Sequence, residues 1–414
     1  MNRSHALLDP PALLDPPALL DPAAAQQPDW PDPCALRDVV GELAAQPQLV
    51  SPRECDRLLA RLGSVAAGEA FLLQGGDCAE TFAGATPETV EGKVRILHQM
   101  AEILAANMNL PVVTVGRIAG QYGKPRSSAT ETKDGTVLPS YRGDAVNGTD
   151  FTAEARTPDP RRLLQAYRTA ADTLVQLREL TGNVALVREE FFTSHEALLL
   201  PYEIGLSRTD SLTDRRFGTS GHMLWIGERT RKLDGAHVEF AAGICNPIGV
   251  KLGPTADPAD VLTLIDRLDP DRKPGRLTLI TRMGAGKIRD VLPPLVEKVT
   301  ASAGSVAWVC DPMHGNTFSS PSGYKTRRFD DVLDEIAGFF EVHRALGTHP
   351  GGLHLELTGE AVTECVGGNP AVTMESLSRC YETACDPRLN RDQALELAVA
   401  VGYLARAAEG AAVS

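Results

Sequence analysis

Basic side chains close to glycine, proline or serine give the first indication of chemistry in this chain. The chain is acidic, with 54 Asp and Glu residues against 41 Lys and Arg and a formal net charge of -13, so cations that bind anions must be gathered locally. Arginine binds phosphate and carboxylate through paired donors, and lysine binds them as a point charge. The alternative is structural ion pairing with acids such as Glu80 or Glu228. Six such cations predict one large anionic substrate or two smaller ones: Arg117, Lys124, Arg126, Arg229, Lys251 and Arg282.

A second group combines a thiol, an imidazole and carboxylates. Cys78, His314 and Glu356 lie at or just after the ends of apolar runs, and a later acid would complete a set of four. Such donors suit a borderline divalent ion of manganese, iron, cobalt or zinc. A cysteine is more often a buried packing residue, but the glycine-rich surroundings of Cys78 and His314 favour ligands. These residues predict a site for one divalent metal ion, with its fourth ligand left open.

Eight short apolar runs rich in β-branched or aromatic residues alternate with helix-like segments. This alternation predicts parallel strands with helical crossovers, closed into a (β/α)8 TIM barrel. The clearest helix follows the capping residue Thr86, with Pro87 at its first position. The predicted strands are 70–73, 112–115, 190–193, 223–226, 248–252, 277–281, 306–309 and 353–357.

Polar sequence containing glycine or histidine lies at the carboxyl end of these runs. In a barrel, all of these ends open on the same mouth, where active sites of this fold are built. We therefore expect the cations and the potential ligands to converge there, although they are far apart in the chain.

The chain divides into three predicted parts. The sequence Ala-Leu-Leu-Asp-Pro occurs from Ala6, Ala12 and Ala18, and its proline at every sixth residue excludes a helix. Residues 1–28 are therefore predicted to be a disordered tail. Residues 29–67 form a short helical extension, and residues 68–414 form the catalytic barrel. The absence of a signal core and of any apolar run near the ~20 residues that span a bilayer predicts a cytoplasmic protein. The acidic charge argues against nucleic acid and membranes as partners.

Several motifs resemble those of the class II, or plant-like, DAHP synthases, which make 3-deoxy-D-arabino-heptulosonate 7-phosphate. The resemblance extends from about Trp30 to the final helix, and the motifs occur in order. They include GGDCAE from Gly75, GRIAGQYGKPRSS from Gly116, LPSYRGD from Leu138, TSHE from Thr193, WIGERTR from Trp225, GVKLGP from Gly249, DPMHGNT from Asp311 and CDPRLN from Cys385.

The resemblance implies a role for each site residue. The metal, implied to be manganese, cobalt or iron with zinc as the alternative, is held by Cys78, His314, Glu356 and Asp386. Phosphoenolpyruvate lies among Arg117, Glu228, Arg229, Lys251 and Arg282. The phosphate of erythrose 4-phosphate lies near Lys124, Arg126 and Ser127. The catalytic residues are Glu196, Glu228 and Lys251, and which glutamate activates water is left open.

Two other interpretations remain at this point. An amino-DAHP synthase would use an imino sugar phosphate, while a non-catalytic regulatory relative is disfavoured by the complete set of ligands and cations. Longer family members carry extra helices for aromatic amino acids after the second strand, and residues 129–189 look too short for them. The chain thus resembles short forms that supply secondary metabolism, and we expect weak or no inhibition by Phe, Tyr and Trp. A homo-oligomer, a dimer or larger, is also expected, and chorismate mutase is a candidate partner.

Overall fold

Eight parallel strands close into a barrel in this computed structural model, which describes residues 24–182, 190–304 and 306–412. Each barrel strand pairs with the next one along the chain, and the last pairs with the first, the order that right-handed crossovers produce. Each predicted run overlaps a barrel strand, so the predicted TIM barrel is confirmed. The barrel strands are β1 (Phe71–Gly76), β2 (Val112–Arg117), β5 (Phe191–Glu196), β8 (Met223–Ile226), β9 (Ile248–Leu252), β10 (Leu277–Thr281), β11 (Ala307–Cys310) and β14 (Gly352–Glu356). The strands outside the barrel are β3 (Thr130–Lys133), β4 (Thr136–Pro139), β6 (Ser207–Thr209), β7 (Arg216–Gly218), β12 (Phe318–Ser319) and β13 (Lys325–Thr326). The remaining strands form three two-stranded antiparallel sheets.

Helices lie around the barrel, and their first residues follow from local sequence. Thr86 accepts a hydrogen bond from the N–H of Thr89, with Pro87 at the first helical position, as predicted. Asp257 caps a later helix in the same way through the N–H of Ala259. In the described residues the helices are α1 (Pro33–Ala45), α2 (Pro52–Ala66), α3 (Pro87–Met108), α4 (Ala153–Arg156), α5 (Arg161–Gly182), α6 (Leu200–Gly205), α7 (Ala236–Ala242), α8 (Pro258–Leu268), α9 (Ile288–Ala303), α10 (Phe329–Ala345) and α11 (Arg391–Ala412). No helix among them is long and apolar enough to cross a membrane.

The amino-terminal end of the barrel is closed by α2. Leu58 and Leu62 of this helix are fully buried and belong to the same apolar cluster as Leu72, Val113 and Val309 of the barrel. The helical extension predicted for residues 29–67 therefore contributes to the barrel core, and the open mouth lies at the opposite, carboxyl end.

The packed part of the chain begins before residue 29. Residues 1–23 of the predicted tail lie outside the described residues, but residues 24–28 are described. Gln26 and Gln27 form hydrogen bonds with loops at the barrel mouth. The predicted tail boundary at residue 28 is therefore too late, because composition alone cannot reveal contacts with residues about 100 positions away.

Candidate active site

The carboxyl ends of the barrel strands surround a cavity of about 250 Å³. Glu356 is fully buried and does not line it, whereas every other predicted site residue does. These are Cys78, Arg117, Lys124, Arg126, Ser127, Glu196, Glu228, Arg229, Lys251, Arg282, His314 and Asp386. The lining also includes residues that the sequence did not single out, among them Gln121, Trp225, Thr317 and Lys325.

Four potential metal ligands meet at one side of this cavity. Cys78 Sγ and carboxylate oxygens of Glu356 and Asp386 lie within 4.8 Å of one another. His314 Nε2 lies 3.1 Å from Glu356 Oε1. Cys78 follows β1, Glu356 ends β14 and His314 follows β11, and these three strands are neighbours in the barrel. That adjacency brings distant residues together, while Asp386 arrives on the segment that precedes α11.

The orientation of His314 suits a metal ligand. Its Nδ1 lies 2.7 Å from Asp311 Oδ2, which directs Nε2 toward Glu356. Burial opposes ionisation of Asp311, but His314 and Lys251 outweigh it and hold the pKa of this carboxyl well below its usual value. A thiol, an imidazole and two carboxylates in this arrangement fit a divalent transition metal.

Lys124 lies among these ligands. Its Nζ is 2.7 Å from Cys78 Sγ and 2.8 Å from Asp386 Oδ2. Burial would lower the pKa of Lys124, but the anionic groups of Cys78, Asp386 and Glu356 outweigh it and raise that pKa well above its usual value. The side chain expected at a substrate phosphate therefore also compensates the negative charge of the ligand cluster.

Arg327 is a buried residue that the sequence prediction missed. Its guanidinium donates to Glu356 Oε2 over 2.7 Å and to the backbone oxygen of Met313 over 2.6 Å, and it also donates to the backbone oxygen of Pro387. These partners are Glu356 itself and the neighbours of His314 and Asp386. One cation thus joins the segments that carry three of the four ligands. Arg327 follows β13 and does not lie at the end of a barrel strand, so the sequence pattern did not indicate a role at the site.

Arg117 and Lys251, like Lys124, are buried cations of the cavity. The Arg117 guanidinium carbon lies 5.1 Å, and Lys251 Nζ 6.0 Å, from the centre of the Trp225 ring. Lys251 also forms an ion pair with Asp311. Burial lowers the pKa of Lys251 to about 8 despite the opposing charge of Asp311. Two cations over an aromatic ring form a site for a small anion.

The other predicted cations are more accessible. Arg126 pairs with Glu131 over 2.6 Å, and Arg282 Nη2 donates to the backbone oxygen of His314 over 2.8 Å. Arg229 is exposed, and among the residues that the structure describes it has no acidic partner. This outer group is therefore available to anions that approach from solvent.

The two predicted catalytic glutamates differ in their partners. Glu228 accepts hydrogen bonds from Arg231 over 2.9 Å and from the N–H of Gly253 over 2.7 Å. Glu196 Oε1 is buried and has no hydrogen-bond partner within the described parts of the chain. Burial raises the pKa of Glu196, although nearby cations oppose this. A Cβ at Gly227 would lie 2.1 Å from Glu196 Oε1, so a larger residue there would require this carboxyl to move.

Glu196 also separates the main cavity from a second one. This rear cavity has a volume of about 10 Å³ and is lined by the phenol-bearing residues Tyr122 and Tyr202. The Tyr202 hydroxyl, like Glu196 Oε1, is buried without a hydrogen-bond partner in the described residues. A space of this size is close to the minimum that holds one water molecule.

Comparisons with known sequences agree with one another. The sequence profile of the Class-II DAHP synthetase family matches residues 16–189 and 179–402. A phospho-2-dehydro-3-deoxyheptonate aldolase of Streptomyces coelicolor is 54% identical over 428 residues, which cover 92% of this chain and 95% of that protein. A protein of the same name from Mycolicibacterium smegmatis is 47% identical over 432 residues, which cover 92% of each. A truncated 3-deoxy-D-arabino-heptulosonate 7-phosphate synthase from Thermotoga maritima has a TM-score of 0.40 and 13% identity, and it covers 82% of this chain and 88% of its own.

Proposed function

The chain belongs to the class II DAHP synthetase family, and from this premise we propose how its own residues carry out the reaction. It condenses phosphoenolpyruvate with erythrose 4-phosphate to give DAHP and inorganic phosphate, the first step of the shikimate pathway. The observation that carries the proposal is that a metal-binding donor set and a group of cations share one cavity.

Cys78, His314, Glu356 and Asp386 would hold the divalent ion, for which manganese, cobalt or iron is proposed and zinc is the alternative. The ion supplies Lewis acidity toward the aldehyde oxygen of erythrose 4-phosphate. Asp311 keeps the His314 ring in place, and Arg327 fixes the Glu356 carboxylate.

Phosphoenolpyruvate is proposed to bind over Trp225. Arg117 and Lys251 bind its phosphate and carboxylate from the buried side, and Arg282 and Arg229 bind them from the accessible side. Fixed cations in a largely buried cavity position the enol carbon and neutralise charge without reorganisation during the reaction. That carbon attacks the aldehyde carbon of erythrose 4-phosphate.

The phosphate of erythrose 4-phosphate is proposed to bind at the accessible loop after β2, to Arg126 and Ser127. Lys124, on the same loop, lies between this position and the ligand cluster. It would therefore bind near the aldehyde end while Arg126 and Ser127 bind the phosphate end.

Glu196 is proposed as the group that accepts the proton of the attacking water. Water adds to the phosphate-bearing carbon of phosphoenolpyruvate, and the hemiketal phosphate then collapses to a ketone and inorganic phosphate. Glu196 has an oxygen without a partner among the described residues and a raised pKa, which suits proton transfer. Glu228, which is bonded to Arg231 and Gly253, is proposed to orient the substrate instead.

Release of inorganic phosphate tests the proposal directly. Purified protein with both substrates should release phosphate, and a chelator should stop the release until a divalent metal is added back. Omission of erythrose 4-phosphate is the control for simple phosphatase activity. Mass spectrometry of the product separates DAHP from its amino analogue, and phosphate release that needs neither metal nor erythrose 4-phosphate would contradict the proposal.

Weak or absent feedback inhibition is also proposed. The described residues between Ser128 and Glu190 hold the pair β3–β4, one turn of helix in α4, and the long helix α5. Steady-state rates should therefore be unchanged by saturating Phe, Tyr or Trp, and a clear decrease would contradict this. The homo-oligomer, the chorismate mutase partner and the cytoplasmic location stay predictions.

A further inference from the structure

Residues 24–28, which we call the N-terminal strap, lie against the loop that follows β2. This loop, residues 118–129, has no helix or strand and carries Lys124, Arg126 and Ser127. Gln26 and Gln27 of the strap are half-buried and Pro28 is buried. The strap therefore packs on the part of the mouth where the phosphate of erythrose 4-phosphate is proposed to bind.

Gln26 supports the loop from two directions. Its side-chain Oε1 accepts a hydrogen bond of 2.8 Å from the N–H of Arg126. Its backbone oxygen accepts one of 3.2 Å from the Arg142 guanidinium. The backbone oxygen of Arg142 in turn accepts a 2.8 Å hydrogen bond from the N–H of Lys124. Both cations of the loop are thus connected to Gln26 through their own backbone groups.

The backbone at Gln26 is itself unusual. Its φ of 62° lies in the left-handed region, which residues other than glycine seldom adopt unless surrounding contacts hold them there. The neighbouring Gln27 supplies such contacts, because its Nε2 donates to the oxygen of Leu198 over 2.7 Å and its Oε1 accepts from the N–H of Leu200 over 3.3 Å. Leu198 and Leu200 follow β5, the strand that ends at Glu196. The strap therefore links the loop after β2 to the loop after β5.

We propose that Gln26 is a positioning residue for erythrose 4-phosphate, acting through the backbone of Arg126. The proposal rests on the function proposed above, which places the sugar phosphate at Arg126 and Ser127. Pro125 has no N–H, so the N–H of Arg126 is the first donor after Lys124 by which this irregular stretch can be held. An error of about 1 Å in a substrate-binding group is enough to cost substantial affinity or rate.

Two substitutions in the full-length protein distinguish the effect of losing the hydrogen bond from the effect of losing side-chain packing. Gln26→Ala removes the acceptor and the side-chain volume, whereas Gln26→Met removes the acceptor and keeps a similar volume. Both should raise the KM for erythrose 4-phosphate about three- to tenfold, the loss expected for one hydrogen bond. The KM for phosphoenolpyruvate and kcat should change less than about twofold, because these depend on the buried cations and the metal cluster.

Gln46→Ala is the matched control, since within the described residues the Gln46 side chain bonds only to the backbone oxygen of Glu42 in the preceding helix. It should leave both KM values unchanged. The proposal is overturned if both Gln26 variants keep the wild-type KM for erythrose 4-phosphate, if only the alanine variant raises it, or if both KM values rise together. Wild-type protein that makes no DAHP would instead refute the proposed function, so the two failures are distinguishable.

Discussion

The two walls of the cavity are built differently. The metal-binding wall consists of Cys78, His314 and Asp386, together with Glu356, which is buried and does not itself line the cavity. These residues share partners such as Lys124 and Arg327 and come from adjacent strands and the final loop. The cationic wall is spread over β2, β8, β9 and β10, and its members range from buried to exposed.

This difference predicts two kinds of response to substitution. The ligands form one interconnected group, so the loss of any one should remove the function of the whole. The cations have several different partners, such as Asp311 for Lys251 and Glu131 for Arg126, whereas Arg117 and Lys124 both pair with Glu356. Their losses should therefore be graded by burial and should affect one substrate more than the other.

The largest effect is expected for Cys78→Ser. Loss of the thiolate ligand should reduce kcat by roughly three orders of magnitude or more, about 4 kcal/mol of transition-state stabilisation. Turnover and metal content of the purified variant, together with circular dichroism for the fold, are the measurements. The exposed Cys34→Ser is the matched control. If the Cys78 variant bound metal and kept full turnover, the prediction that the ligands act as one interconnected group would be wrong.

A smaller effect is expected on the cationic wall, where burial should set the size. Lys251→Met should lower kcat/KM for phosphoenolpyruvate by roughly a hundredfold, as for the loss of one preorganised donor. Arg229→Met should lower it by roughly tenfold, since an exposed cation is screened by solvent. Steady-state kinetics with each substrate varied is the measurement, and the exposed Lys232→Met is the control. Equal losses at Lys251 and Arg229 would contradict a gradation by burial.

Arg327→Lys tests the connections within the metal-binding wall. A lysine cannot reproduce three separate hydrogen bonds of a guanidinium, so metal affinity should fall about 10- to 100-fold, as for other groups that support metal ligands. Titration of metal-free protein with manganese measures this without reference to turnover. The exposed neighbouring Arg328→Lys is the control. Unchanged affinity in the Arg327 variant would show that the ligands are held independently.

A change of pH is the mildest perturbation, because it alters the charge of Lys251 without replacing the residue. Lys251 is a cation below its pKa of about 8 and neutral above it, so kcat/KM for phosphoenolpyruvate should fall above pH 8, approaching tenfold per pH unit. The charged groups facing it are Asp311, Arg117 and Arg282, with His354 nearby. Lys251→Arg keeps the charge and should lack this fall.

A rate profile measured from pH 6 to 10 compares the two proteins, and the same fall in the arginine variant would contradict the assignment to Lys251.

The contribution of Lys251 to the stability of the fold changes with pH in the opposite direction to its contribution to the rate. Between about 8 and the usual 10.5, unfolded Lys251 binds more protons than folded Lys251. This group therefore favours folding more strongly as pH rises through that window.

Most of the fold could be predicted because burial imposes a clear pattern on barrel strands. Alternating apolar runs identified all eight, but β1 extends to Gly76 through two glycines that have little strand propensity. Hydrogen bonds from β2 and β14 on either side hold these glycines in the strand. The strap at residues 24–28 could not be predicted, because its partners are distant in the chain.

Sequence alone could predict a site residue only where a side chain with few common roles, such as a metal-binding thiol or imidazole, follows a predicted strand. Cys78 and His314 met that condition, whereas Asp386 entered through family resemblance alone. Arg327 met neither condition, since its partners at 313, 356 and 387 are 14, 29 and 60 residues away. The unequal partners of Glu196 and Glu228 likewise depend on three-dimensional packing rather than on local sequence.

The guanidinium of Arg327 also limits how this barrel can evolve. Because it touches Glu356 and the backbone of Met313 and Pro387, a replacement that moves one segment alters the hydrogen bonds of the other two. Pairs of substitutions among such contacts are expected to depart from additivity by about 0.5–3 kcal/mol. Stepwise drift is therefore costly on this side of the mouth and cheaper among the outer cations. New substrate preferences should arise by replacement of the outer cations while the metal-binding wall stays unchanged.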